Sequence, residues 1–290
     1  MDAALPPHDR ATHAVSFDDD RRVTYTEYGD PTGRPVLFLH GTPGSRRLGR
    51  LFDAPARRDG VRILAIDRPG YGRSSPWPVR DLSTIGAVVA PVLDDAGASR
   101  VGVVGFSGGG PHALALAAVR PDSVTSVDVV SGATPPSLPP STPPMQRLLG
   151  RLASATPCAL RGLFRGQAWL ADRLPPVIVV SQYTTADGRA TLPDDVTALV
   201  ARDFVEAFAR TCRGAVTELD LLASPWSLSL DAVDPPVRLW HGARDTNVPV
   251  AGVRALRDRL PDAQCTVFEG TDHLTTLWRC RDAIVGRHAD

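Results

Sequence analysis

Three segments of this sequence carry side chains whose types and order suit acyl transfer. The first is Gly105-Phe106-Ser107-Gly108-Gly109, a G-x-S-x-G pattern between an apolar run, Arg100 to Val104, and a helical stretch through Ala118. A sharp strand-to-helix turn there would hold Ser107 in a strained backbone conformation and lift its hydroxyl clear of the sheet. It would also aim the N-terminus of the following helix at a developing oxyanion. Pro111 falls in the first helical turn, where its missing N–H does no harm. The competing use of a Gly-rich loop is to cradle phosphate. The lysine of a Walker loop is absent, however, and the spacing is not that of a dinucleotide fingerprint.

A serine nucleophile needs a base, and the base needs an acid to orient it. His241-Gly-Ala-Arg-Asp245 follows the apolar run Val237 to Trp240, and Gly270-Thr-Asp-His273 follows Cys265 to Phe268. Both lie where strands of an open parallel sheet deliver functional loops. Ser107, Asp245 and His273 are therefore read as nucleophile, orienting acid and base. The rivals fit less well. His40 and His241 each precede a glycine at a strand end and read as structural. His112 follows Ser107 too closely to act as its base but could line the pocket. His8, His13 and His288 lie near the termini and are expected in solvent. Asp272 adjoins His273 and should point elsewhere, while Asp128 sits inside a strand.

The elements that must position these groups alternate. His13–Phe17 and Arg22–Tyr28 flank an acidic turn, Asp18-Asp19-Asp20, and read as a hairpin. Strands are expected at Val36–Leu39, Arg62–Ile66, Arg100–Val104 and Val124–Val130. Between them lie helical stretches at about Arg46–Arg58 and at Leu82–Ala96, the second kinked or broken at Pro91. After Val130 the alternation stops. Thr134 to Pro144 carries six prolines, a semi-rigid connector, and residues to about Ser229 are mostly helical. Val177–Val180, behind Pro175-Pro176, is ambiguous between strand and helix. Strand, helix, strand, helix resume at Val237. The pattern implies an α/β fold: a mostly parallel central sheet flanked by helices, with an inserted helical cap. The expected division is core 1–130, cap 131–235 and core 236–290.

Bulk composition narrows the partners. The 32 basic residues, all Arg, balance 32 acidic ones, which argues against nucleic acid or an anionic membrane surface as the main partner. No run reaches membrane-spanning length, and the first ten residues lack the pattern of a signal peptide. Cys158, Cys212, Cys265 and Cys280 are scattered without metal-ligand spacing. The expectation is a cytoplasmic protein with reduced thiols, no metal and no cofactor, acting on a small molecule. Oligomeric state is not readable.

Taken with the elbow, His40-Gly-Thr-Pro-Gly44, Asp67-Arg-Pro-Gly-Tyr-Gly-Arg-Ser74 and His241-Gly-Ala-Arg-Asp245 resemble the cap-bearing α/β-hydrolase superfamily. The resemblance implies an oxyanion hole made by the backbone N–H groups of Thr42 and Gly108, and gives Asp67 a structural part. Relatives that open epoxides or displace halide carry Asp at the elbow, so Ser107 points to acyl chemistry, foremost a serine esterase. The His-Gly-x-Pro-Gly pattern also resembles proline iminopeptidases, which need cap carboxylates to hold an ammonium group. Glu206 and Glu218 are the Glu residues available, and both read as exposed helix-surface acids. The alternatives are thus a proline-iminopeptidase-like aminopeptidase or amidase, or a non-enzymatic small-ligand receptor on the same fold. Phe204, Phe208 and Trp226 in the cap, with His112, are the expected pocket residues. They favour an apolar substrate, since no Arg cluster stands near the elbow in the sequence.

Overall fold

A computed structural model describes residues 11–18, 20–138 and 143–289 of the chain. Among these residues, eight strands form one sheet: β1 (Thr12–Ser16), β2 (Arg22–Gly29), β3 (Arg34–Leu39), β4 (Val61–Asp67), β5 (Val101–Phe106), β6 (Val124–Val130), β7 (Val237–Gly242) and β8 (Ala263–Phe268). Their order is β1-β2-β4-β3-β5-β6-β7-β8. β1 and β2 pair antiparallel, as does β2 with β4, and every later pairing is parallel. Burial follows position. β5, at the centre, is buried at every residue, whereas β1 at the edge is buried at none, as expected where helices cover both faces of a parallel sheet.

Helices α1 (Asp53–Arg58), α2 (Ile85–Asp95), α3 (Gly109–Val119), α10 (Val250–Arg257) and α11 (His273–Ala289) flank the sheet. Alternate strand residues feed two cores. Leu37, Leu39, Val103 and Val129 pack with α2, α3 and α10, and Val36, Phe38, Val104 and Val130 pack with α1 and α11. The period-two split is the pleat expressed as burial.

Three local expectations change. The stretch Arg46–Arg58 divides into a 3-10 turn over Arg46–Phe52 followed by α1. α2 begins at Ile85 and runs unbroken through Pro91. The carbonyl that Pro91 leaves without a bond belongs to Ala87, which faces solvent, so water can satisfy it. Val177–Val180 belongs to a short helix, because Pro175-Pro176 fixes φ at its start.

Between β6 and β7 the chain inserts α4 (Pro144–Ala155), α5 (Pro157–Ala171), α6 (Pro176–Val180), α7 (Ala186–Ala190), α8 (Asp194–Ala207) and α9 (Arg213–Ala223). These helices have their own core, with Leu160, Phe164, Phe204, Phe208 and Val216 buried together. Within the proline-rich connector, residues 139–142 lie outside the described residues, as do His8 and Asp19.

Candidate active site

Every group expected to do chemistry leaves the carboxyl end of a strand. Thr42 follows β3, Ser107 follows β5, Asp245 follows β7 and His273 follows β8. Ser107 has φ of +52°, a left-handed conformation that costs a non-Gly residue on the order of 1–2 kcal/mol. Backbone hydrogen bonds over-determine it: Ser107 N–H donates to the Val130 carbonyl at 2.9 Å, and the Ser107 carbonyl accepts from Gly110 and Ala133 at 3.0 Å. The next residue must be small, because a Cβ on Gly108 would stand 2.2 Å from Thr42 Oγ1.

Ser107 Oγ lies 2.9 Å from His273 Nε2, and His273 Nδ1 lies 2.8 Å from Asp245 Oδ2. The other carboxylate oxygen of Asp245 accepts from the backbone N–H groups of Asn247 and Val248, both at 2.9 Å. Burial alone would raise the Asp245 pKa, but the adjoining His273, His241 and these donors hold it below the usual carboxylate range. A fixed carboxylate on Nδ1 leaves Nε2 free to accept the serine proton, the division of labour that general-base activation of serine requires. Ser131, not anticipated from sequence, donates its hydroxyl to the His273 carbonyl at 3.1 Å and ties that residue's backbone to the end of β6.

Two cavities meet at Ser107. The smaller, about 20 Å3, is bounded by Thr42, Phe106, Tyr183, Asp203 and Phe204, room for roughly one water molecule. The larger, about 160 Å3, is bounded by Gly108, Gln146, Leu149, Leu219 and Leu222. A dry engineered cavity of about 150 Å3 accepts benzene, so the larger cleft suits a group of that size.

The four expected pocket residues separate. Phe204 lines the smaller cavity. Phe208 does not reach either cavity; it stacks on Phe164 and meets Phe204 edge-on inside the cap core. Trp226 packs against the sheet core, so its expected pocket role is corrected to packing. His112 is also absent from both linings; it is buried 3.0 Å from Glu218 Oε1, and burial pushes its imidazole pKa down.

Glu218 overturns a further expectation. Its carboxylate is wholly buried, not an exposed surface acid. Oε2 accepts from Thr42 Oγ1 at 2.7 Å and from the Tyr71 hydroxyl at 3.0 Å. Arg68 lies 2.9 Å away and Arg80 3.3 Å away. Burial opposes its ionisation, but Arg68, then His112 and Arg80, hold its pKa well below the usual range. Two arginines therefore do stand near the elbow, and a cap carboxylate compensates them. Arg68 braces both loops at Ser107, donating to the Gly108 carbonyl at 2.9 Å and the Gly41 carbonyl at 3.0 Å. Glu206 is likewise engaged, 2.7 Å from Arg46.

The remaining candidates are structural in place. His40 and His241 are fully buried, their rings bonded to the carbonyls of Gly41 and Val248. Asp67 is buried against Arg46 at 2.7 Å. Asp272 turns toward the cap, accepting from Thr184 Oγ1 at 2.7 Å and the Thr185 N–H at 2.8 Å. His288 is not in solvent as expected but buried 3.0 Å from Asp128, and His13 is half-buried, stacked on Tyr25. Asp203, also unforeseen, accepts from Ser45 N–H at 3.0 Å, Ser45 Oγ at 2.6 Å and Leu48 N–H at 3.0 Å, all through Oδ1. Burial raises its pKa to about 7 despite those donors. Among the described residues no three His, Cys, Asp or Glu side chains group as metal ligands.

The chain is similar to several known proteins. The alpha/beta hydrolase fold family pattern matches residues 34–157. A proline iminopeptidase of Xylella fastidiosa is 35% identical over 119 residues, covering 39% of this chain and 37% of that protein. The chain thus spans little more than a third of the length of the curated relatives that it matches in this way. The non-heme chloroperoxidase CPO-A1 of Kitasatospora aureofaciens is 26% identical over 269 residues, 88% of this chain and 90% of that one. A thermophilic esterase from Thermogutta terrifontis superposes with a TM-score of 0.70 at 18% identity, covering 96% of each chain. With the sheet order and the helical insertion between β6 and β7, these similarities mean that the chain has the α/β-hydrolase fold and that residues 34–157 match the pattern of that family.

Proposed function

We propose that the protein is a serine hydrolase cleaving a carboxylic ester, or a related acyl bond, of a small and largely apolar substrate. The observation that carries this reading is the continuous chain Ser107 Oγ, His273 Nε2, His273 Nδ1, Asp245 Oδ2, with links of 2.9 and 2.8 Å. In the first half-reaction His273 takes the Ser107 proton as Oγ attacks the acyl carbon. The N–H groups of Thr42 and Gly108 stabilise the oxyanion. The tetrahedral adduct collapses, the imidazolium protonates the departing alkoxide, and the acyl group stays on Ser107. Water activated by His273 then attacks this ester, and Ser107 regains its proton as the acid leaves. Residues 131–235 serve as a cap over the site, between core segments 1–130 and 236–290. Leu149, Leu219 and Leu222 in the larger cavity support an apolar substrate.

A fluorophosphonate tests the assignment. It should label the protein once, at Ser107, and Ser107→Ala should lose both label and turnover of a chromogenic acyl ester. Label that persists in Ser107→Ala removes the nucleophile, and a labelled protein with no turnover favours the ligand-receptor reading. A peptidase reading has one supporting observation besides the similarity to an iminopeptidase: Asp203 is a cap carboxylate bordering a cavity at Ser107. Against it, Glu206 and Glu218 are both taken by arginines. Prolyl and other aminoacyl anilides offered beside short acyl esters separate the two.

A further inference from the structure

We propose that the outer cap helices α4, α5 and α6 form a docking face for an anionic lipid surface. Nine large apolar side chains are exposed among the described residues, and seven of them lie between Met145 and Ile178. They include Met145 at 64% exposure, Leu163 at 60% and Trp169 at 59%. The two longer helices are amphipathic in an unusual sense. Each buries one stripe, Gly150 and Ala153 in α4 and Leu160, Phe164 and Ala171 in α5. Each also turns apolar residues outward: Met145 and Leu148 in α4, Leu163 and Leu170 in α5.

Charge says what covers this face. Residues 144–180 contain Arg147, Arg151, Arg161, Arg165 and Arg173 against Asp172 alone, a net of +4; the rest of the chain, with 27 Arg and 31 acids, is −4. The zero total therefore conceals a basic segment over α4–α6, whereas residues 181–235 of the same insertion carry four Arg against nine acids, so the positive charge belongs to the outer helices and not to the insertion as a whole. Arg147, Arg151 and Arg165 make no ion pair with a described residue, although Asp220 shares a shallow cleft with Arg147 and Arg151. The Arg173 guanidinium sits 4.2 Å above the Trp169 ring, a cation and an amphipathic ring together at the surface. Basic residues interleaved with outward Leu, Met and Trp are the composition of interfacial helices, which bury the apolar side chains among acyl chains and leave Arg at the phosphates.

A second copy of the chain fits less well. A two-fold interface would bring the same patch against itself, +4 facing +4. Nor does any helix span a bilayer, since none among the described residues is long and apolar enough. The docked face is the back of the substrate cleft: Gln146 and Leu149 line the cavity at Ser107 while Met145 and Leu148, on the same helix, face out.

The test is flotation of the full chain with phosphatidylcholine vesicles, with and without phosphatidylglycerol, at low and high salt. The expected result is binding to the anionic vesicles only, released by salt. Each Arg near the surface contributes about a factor of five, so Arg147→Gln, Arg151→Gln and Arg165→Gln together should weaken partitioning by about a hundredfold. Leu163→Ser with Leu170→Ser should also weaken it. All five side chains are peripheral, so unchanged melting temperature and ester turnover would show that the variants fold. No binding to anionic vesicles, equal binding to neutral ones, or an unaltered triple Arg variant would each overturn the proposal. So would a concentration-dependent dimer, seen by light scattering and lost in the Leu variant, without vesicle binding.

Discussion

Glu218→Gln is the most informative single substitution available in this molecule. The side chain is isosteric, so packing is kept while one negative charge is removed from a site where Glu218, Arg68 and Arg80 are 0 to 2% exposed. In the native protein this cluster carries two cations and one anion, a net of +1; in the variant it carries +2 with no counter-ion. Removing one partner of a buried pair costs about 3–5 kcal/mol, because the stranded charge cannot recover its hydration. For a chain of this size that corresponds to a fall in melting temperature of roughly 5–10 °C. The effect should not end at stability. Glu218 Oε2 accepts from Thr42 Oγ1 at 2.7 Å, and Arg68 holds the Gly41 carbonyl at 3.0 Å. The carboxylate therefore fixes the loop whose Thr42 N–H is proposed to meet the oxyanion. Outright removal of such a donor costs about 10²–10³ in kcat, so displacement of the loop should cost about 10- to 100-fold in kcat with KM little changed.

Calorimetry and steady-state kinetics on a short acyl ester, run below the variant's melting range, measure both effects. Thr42→Val supplies the control, since it removes the hydroxyl but keeps the backbone N–H and both charges. If the loop argument holds, Thr42→Val lowers kcat without the large thermal shift, and the two substitutions together are less than additive. A Glu218→Gln protein that melts with the native one, or one that melts early with native kcat, refutes the charge argument or the loop argument respectively. The pH dependence gives a separate sign. Because the folded carboxyl is held below its unfolded value of 4.5, its contribution is present above that value and lost as pH falls further. Acid unfolding should therefore be shallower in Glu218→Gln than in the native protein.

Asp245→Asn should cost about 10⁴ in kcat by spoiling the imidazole tautomer, and a near-native rate would reassign the orienting acid. Asp203, whose carboxyl burial pushes up to about 7, binds its proton more tightly when folded. Native stability should therefore fall as pH rises from about 4 to 7, by at most about 4 kcal/mol. Asp203→Asn should flatten that part of a melting-temperature profile; an unchanged slope would mean the carboxyl ionises freely. Leu222→Ala, at the larger cavity, should shift preference toward longer acyl chains by about 10- to 200-fold. Trp226→Ala should instead lower the melting temperature and leave the chain-length profile alone, and the reverse pattern would restore Trp226 to the pocket.

Legibility from sequence tracked the range of the interactions. The elbow at Ser107 is a local device, five residues between a strand and a helix, and its strain and glycines can be argued without knowing the rest of the chain. Strand ends mark Asp245 and His273 for the same reason. Glu218 was misread as a surface acid because nothing within α9 reveals its partners. Thr42 is 176 residues away, Tyr71 is 147 and Arg80 is 138. Residue type alone does not place the aromatic residues of the cap: Phe208 and Trp226 are large enough to line a pocket or fill a core, and only tertiary packing decides, Phe208 against Phe164 of α5 and Trp226 against the sheet core. Pro91 misled in the opposite direction, since its cost depends on whether Ala87 faces water.

The buried acids also decide which part of the cap can move. The prolines on either side of the insertion suggest that the whole cap shifts as a unit, but the anchors are unevenly distributed. α8 is fixed to the core through Asp203, which takes three donors from Ser45 and Leu48, and through Glu206 on Arg46. α9 is fixed through Glu218 and its arginines. Lifting both helices would strand several buried charges, at a combined cost comparable to the whole stability of a domain. Among the described residues, α4 and α5 have no such buried ion-paired anchors. α4 meets the core side through Gln146, whose amide donates to the Asn247 carbonyl at 2.6 Å, and packs on α9 by the close fit of Gly150 against Ala223. Its other contacts, the Ser154 hydroxyl on Asp220 and Leu149 and Leu152 against the cap core, strand no buried charge when they part. A cap that opens at α4, between Leu149 and Leu222, would leave α8 and α9 in place and keep the loop at Thr42 assembled.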